Sequence, residues 1–405
     1  MSLLFAAALV LSGGTVVGAR SDFHNAVIVI RDGRIESVGT QKLMAIPKDA
    51  RVIDVTGAYI VPGLNDVFAG LNSQSQANAY LYMGVTSIVG SDEPGGRRGA
   101  LLRTAKPSPH IHPLALVAKP EDVDEAAHHG AEVLLLYYPL RADQTRLAVA
   151  RARQLNLPTI GELGATPYAE AIEAGVDAFV HASRYALELA PAQIRDAVAN
   201  DPFGPPRTTF YQYLAKLNPD DPAVERWGAR LARGRTVLIP TLSLYYLELP
   251  NHENPWKEKI AAILDPKDVH LPADRQTGKA PKPPGVPDGL AENVIRIEER
   301  YRRAGAQYLA GSGTSAFGTL PGISLHNELR MLTDLGLTPR QALAAATRNV
   351  GDAFRWPTVG RIAAGYDADL VVVDADPTID IRNLKKIRMV ILNGEIVDRA
   401  ALLKH

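Results

Sequence analysis

The chain has no cysteine among its 405 residues. Disulfides, thiolate metal sites and cysteine nucleophiles are therefore excluded. It also has no charge surplus, since 44 Lys and Arg stand against 44 Asp and Glu. Nothing favours nucleic acid or an anionic membrane surface as a partner. No apolar run reaches the ~20 residues that a bilayer span requires. Residues 3–10 are apolar, but no Lys or Arg precedes them, as a secretory signal would need. Read onward, residues 8–17 predict a strand, a turn at Gly13 and Gly14, and a second strand. A signal remnant is the alternative.

What is present is an ordinary globular composition, 46% apolar and 22% charged, on a chain long enough for more than one domain. Both ends read as short strands. Residues 26–35 form an apolar run, an Asp32-Gly33 turn and a second run, and residues 389–397 repeat this pattern around Asn393-Gly394. Two β-rich ends around a different middle predict one small sandwich built from both termini. The middle alternates short apolar runs (86–89, 133–137, 159–161, 178–181, 237–240 and 308–310) with helical segments. Thr166-Pro167 predicts a helix start with Thr as N-cap, and Gly175 its end. Thr338-Pro339-Arg340-Gln341 has capping-box spacing. Repeated β-α units read as a parallel barrel or a doubly wound sheet. Two proline-rich excursions, 201–222 and 264–289, interrupt the pattern. The second follows a strand near Pro240, so in a barrel it would rise from the C-terminal face, as a lid or as a surface loop.

The framework resembles the amidohydrolase superfamily, especially its imidazolonepropionase-like and prolidase-like group. The motifs that carry this are Pro62-Gly63-Leu64 running into Asp66, Gly84-Val85-Thr86, Gly175-Val176-Asp177 before His181, and Leu325-His326-Asn327-Glu328-Leu329. Most specific is the closing run from Gly336-Leu337-Thr338-Pro339 to Gly365-Tyr366-Asp367-Ala368-Asp369. The resemblance implies a (β/α)8 TIM barrel with a β-sandwich from both chain ends: residues 1–60 and 351–405 for the sandwich, 61–350 for the barrel.

The resemblance also implies metal ligands at strand ends, and here the chain departs from it. The two strand-one histidines fall on Phe68 and Gly70, the strand-four lysine on Leu135, the strand-five histidine on Glu162, and the strand-eight aspartate on Gly313. Only His181 keeps its family identity. A catalytic zinc typically takes three protein ligands and an open water position, so the expectation is no metal and no cofactor, and no metal-activated water. Glu162 and His181 are the candidate catalytic residues, as a metal-free acid/base pair. A salt bridge filling an old metal cavity is the structural alternative.

Other polar features carry weaker expectations. His110 and His112 would share one face of a strand, as mouth-of-barrel histidines or as a relocated metal site with Glu162 and His181. His128-His129 reads as a solvated helix end, and His326 and Glu328 as helix-packing groups. Ser312, Thr314 and Ser315 make a hydroxyl-rich turn whose nucleophilic use would need His181 as base. The Gly95–Gly99 loop, with Arg97 and Arg98, has the composition to hold an anion. The function expected is a divergent family member without metal-dependent C–N hydrolysis, a ligand-binding or structural protein. The alternative is a metal-independent hydrolase of a small amide, lactone or peptide-like substrate using Glu162 and His181. The partner expected is a small molecule at the barrel mouth, with homo-oligomers left open. Cytoplasmic residence is favoured, with periplasm or secretion as alternatives.

Overall fold

The computed structural model describes residues 8–91 and 102–404. Seven parallel strands follow one another in chain order: β1 (Leu64–Ala69), β2 (Val85–Ser91), β3 (His110–Val117), β4 (Val133–Leu136), β5 (Thr159–Gly161), β6 (Ala178–Val180) and β7 (Val237–Ile239). Helices connect most of them, as alternating apolar runs and amphipathic segments require. The eighth barrel position is an irregular segment. Leu238 N–H donates to Gln307 O and Leu309 N–H to Leu238 O, both at 2.8 Å. On the other side Val67 N–H donates to Ala310 O at 3.1 Å and Gly313 N–H to Phe68 O at 2.8 Å. This closes the ring between β7 and β1. The apolar run at 308–310 is thus a closure with a single bridge, Leu238 to Tyr308, rather than a regular strand.

The barrel interior is apolar. Phe68, Leu135, Ile160, Val180, Ile239 and Phe354 belong to one buried cluster. A larger cluster lies between the strands and the surrounding helices.

A second sheet of eight strands is assembled from both ends of the chain. Leu9–Val16 pairs antiparallel with Phe23–Arg31 and parallel with Arg51–Asp54 and Tyr59–Pro62. Leu370–Val373 then joins the far side of Tyr59–Pro62, with Leu370 opposite Pro62. Both hairpin turns form as expected. Asp32 and Gly33 have φ of 49° and 74°, and Asn393 and Gly394 have 52° and 77°, the two positive values that a type I′ turn demands.

Two local expectations are corrected. Residues 9–16 are one strand with a bulge, not two strands around a turn. Gly13 takes φ +91° and lies against Thr56, where a Cβ would come within 2.2 Å of Oγ1, so the chain kinks without reversing. Thr166 does not cap its helix, because its hydroxyl donates to Leu140 O at 2.6 Å. The 201–222 excursion contains a helix, Pro205–Lys216, with proline in its first turn. Elsewhere Thr338 and Gln341 do form the capping box, and Gly175 closes its helix at φ 84°.

Candidate functional site

Parallel strands bring their C-terminal ends to one face, and there the barrel opens into a cavity of about 460 Å³. Phe68 from β1 and Leu135 from β4 contribute to its lining, together with Glu162 just after β5 and His181 just after β6. The 201–222 helix adds Arg207 and Tyr211, and the 264–289 excursion adds His270, Pro283 and Val286. That excursion is anchored beneath by Val269 and Ala273, which pack with Trp256 and Ile260. Both excursions therefore wall the cavity.

Glu162 Oε1 is the centre of the polar wall. It accepts the Tyr138 hydroxyl at 2.7 Å and faces His181 Nε2 at 3.6 Å and Arg184 Nε at 3.9 Å. The two candidate residues thus share one wall of the cavity, 3.6 Å apart, beyond hydrogen-bond length. On the other side of the imidazole, Nδ1 is 2.8 Å from Thr241 Oγ1. The Thr241 hydroxyl also lies 2.7 Å from Pro240 O; donating there, it accepts from His181 Nδ1–H. In the neutral ring this leaves the Nε2 lone pair on the side of Glu162. Both residues sit at strand ends in left-handed backbone: His181 has φ 67° and Thr241 φ 50°. Such values are unfavourable for a β-branched residue, and they concentrate where a site dictates side-chain direction. The Phe68 ring meets the His181 imidazole edge-on at 5.1 Å and is 1% exposed.

Burial shapes the electrostatics of this wall. It drives the Tyr138 phenol well above its ordinary value, with the Glu162 charge adding to the shift and Arg184 opposing it. For Tyr211 burial also pushes upward, but the charges of Arg184 and Arg207 outweigh it and the net shift is down. Burial and Glu292 raise Glu248 to about 7, against Lys282.

Among the described residues, the positions that the resemblance assigns to metal ligands carry few donors. Phe68, Leu135 and Gly313 offer no side-chain donor there, and Gly313 has φ 65°, a backbone conformation that disfavours any side chain. Among the described residues, no group of three or more His, Cys, Asp or Glu could hold a metal ion. The relocated centre is overturned by topology. His110 opens β3, at the barrel's opposite end from Glu162 and His181. There its Nε2 pairs with Asp369 at 2.9 Å, while His112 Nδ1 pairs with Glu132 at 2.6 Å and stacks on Trp356 at 3.9 Å.

Of the other candidates, His326 is buried and its Nε2–H donates to Met83 O at 2.8 Å; burial lowers it to about 4. Glu328 accepts Ser243 N–H at 2.7 Å, and burial raises it to about 8. Both pack the helix Ile323–Asp334. Ser312 and Thr314 are buried and hydrogen-bonded to one another, away from the cavity lining. His128 and His129 end a short helix. The 95–99 loop lies outside the described residues. The sequence reading missed Tyr138, Arg184, Arg207 and Tyr211; the one local signal was an arginine three residues beyond His181.

Residues 250–397 match the amidohydrolase family. Molinate hydrolase superposes with a TM-score of 0.66 at 14% identity, over 98% of this chain and 96% of that one. A Xaa-Pro dipeptidase with methionine bound in its active site gives 0.62 at 14% identity, over 96% and 100%. The imidazolonepropionase of Salmonella heidelberg is 46% identical over 66 residues, 16% of this chain and 16% of that protein. Over residues 250–397 the chain is similar to the amidohydrolase family, and its whole fold is similar to that of these solved hydrolases. The adenine deaminase of Geobacillus kaustophilus is 37% identical over 75 residues, 18% of this chain and 13% of the relative. These sequence matches span well under a fifth of either curated relative. No helix of the described residues is long and apolar enough to cross a membrane.

Proposed function

We propose that this amidohydrolase-like chain binds a small organic ligand at its barrel mouth and does not hydrolyse C–N bonds with a metal-activated water. One observation carries the reading: the strand ends bear Phe68, Leu135 and Gly313, yet an open cavity of about 460 Å³ with a polar wall remains. A structural remnant would be expected to collapse or fill such a space, because unpartnered buried polar groups are costly. Elemental analysis of protein purified without chelators tests the metal side of this proposal. The expected result is less than stoichiometric zinc, iron and manganese; about one tightly held ion per chain would overturn it.

A second reading is favoured by the orientation of His181. With Nδ1–H committed to Thr241, Nε2 is placed to take a proton from a water beside Glu162. That water would add to a substrate carbonyl, and His181 would return the proton to the leaving nitrogen or oxygen. On this reading His181→Ala and Glu162→Gln each abolish most hydrolysis of small amides or lactones while leaving the melting transition cooperative. Unchanged turnover in both variants would remove the pair from the chemistry.

A further inference from the structure

Arg184 lies on the short helix Ala182–Tyr185 and is 7% exposed. Its guanidinium is 4.8 Å from the centre of the Tyr138 ring. Its one ion-pair contact among the described residues is the 3.9 Å approach of Nε to Glu162 Oε1, too long for a hydrogen bond. That oxygen already accepts from Tyr138. Arg207, on the helix Pro205–Lys216, donates through Nε to the Tyr211 hydroxyl at 2.9 Å. Among the described residues no carboxylate pairs with it. Both arginines line the same cavity, and both act on Tyr211.

A guanidinium withdrawn from water without a carboxylate in bonding range is unfavourable, as for Arg184, and the half-buried Arg207 adds a second cation to the same wall. The acidic groups facing them are Glu162 and Glu248, and Glu248, raised to about 7, is only partly ionised near neutrality. Among the described residues both guanidiniums therefore keep donors that no carboxylate satisfies, and one anionic group of a ligand would take them. A guanidinium's planar fork suits a carboxylate in particular. A phosphomonoester dianion would set its second charge against Glu162 and Glu248. Leu135, Phe203, Val286 and Phe317 add apolar surface to the cavity lining.

We infer that the ligand of this cavity is a small organic monocarboxylate, its carboxylate held by Arg184, Arg207 and the Tyr211 hydroxyl and its apolar body against Phe203, Val286 and Phe317. This rests on the ligand-binding reading above and narrows it to a chemical class.

The test is calorimetric titration of the full chain with phenylacetate and 3-phenylpropionate, with their uncharged amides, and with phenyl phosphate. The carboxylates are expected to bind about tenfold or more tightly than the amides, the loss expected when charge-assisted hydrogen bonds are removed. Arg207→Gln, at a partly exposed position, is expected to lose most of that preference, with the melting transition measured alongside to show that the fold is kept. Arg207→Lys should restore only part of it. Amides binding as well as carboxylates would overturn the anion site while leaving the ligand cavity standing. Preference for phenyl phosphate would overturn the monocarboxylate assignment. No binding by any probe would overturn both this inference and the reading beneath it.

Discussion

Phe68 is the residue on which the site turns. Its ring stands at the end of β1, packed with Leu135, Ile160 and Ile239 and edge-on to His181. It supplies apolar contact to the cavity floor and holds one face of the imidazole. Phe68→Ala should destabilise the chain by about 3 kcal/mol, within the range for removing a buried aromatic side chain, as read by the denaturant midpoint. A loss near zero would mean that the ring does not support the floor. Thr241 acts from the other side. Thr241→Val keeps shape but strips the acceptor from His181 Nδ1–H, at an expected cost of about 1–3 kcal/mol for a buried unpaired donor. Nitrogen chemical shifts of His181 provide a separate readout, with mixed tautomers expected in the variant and one in the parent. Were the parent already mixed, the hydroxyl would not be setting the tautomer.

At the scale of elements, β3 ties the barrel's lower rim to its neighbours through two histidines. His110 is held above its ordinary pKa by its hydrogen bond to Asp369, with burial opposing. A raised histidine contributes stability that is fully present below the unfolded value, about 6.5, and is lost as pH rises through the folded value. Glu132 is held below its ordinary range by His112. Its contribution is present above the unfolded carboxylate value and is lost as pH falls through the folded one. Melting temperature should therefore fall on the alkaline flank above pH ~6.5, and His110→Gln should flatten that flank while sparing the acid one. An unaltered alkaline flank would assign the loss to other groups. The elements also show what a sequence reveals. The Asp32-Gly33 and Asn393-Gly394 turns and the Thr338 cap were legible because their geometry is set by two to four adjacent residues. Repeated β-α units were legible from the alternation of apolar runs, which left barrel and doubly wound sheet open; the family resemblance pointed to the barrel. The bulge at Gly13 and the turned hydroxyl of Thr166 were not, since each depends on a residue at least 26 positions away, Thr56 and Leu140. Arg184 and Arg207 escaped for the same reason: only folding brings the helix after β6 and a proline-rich excursion to one cavity.

For the whole molecule, the decisive fact is that the strand leading into the barrel is also an interior strand of the other sheet. Tyr59–Pro62 lies between Leu9–Val16 and Leu370–Val373, and β1 begins only two residues after it. During synthesis the N-terminal strands emerge some three hundred residues before their last partner. Until Leu370–Val373 arrives, Tyr59–Pro62 presents an unpaired edge that includes Ile60 and Val61, the kind of edge that recruits another chain. A chain stopped after Gly365 is accordingly expected to aggregate, and a peptide covering residues 366–397 supplied in trans to return part of it to solution. A soluble, monomeric truncated chain would show that the edge protects itself. The closing strands thus act as a latch on the finished product: a copy interrupted late in translation would carry a complete complement of barrel strands and still betray itself by its open seam.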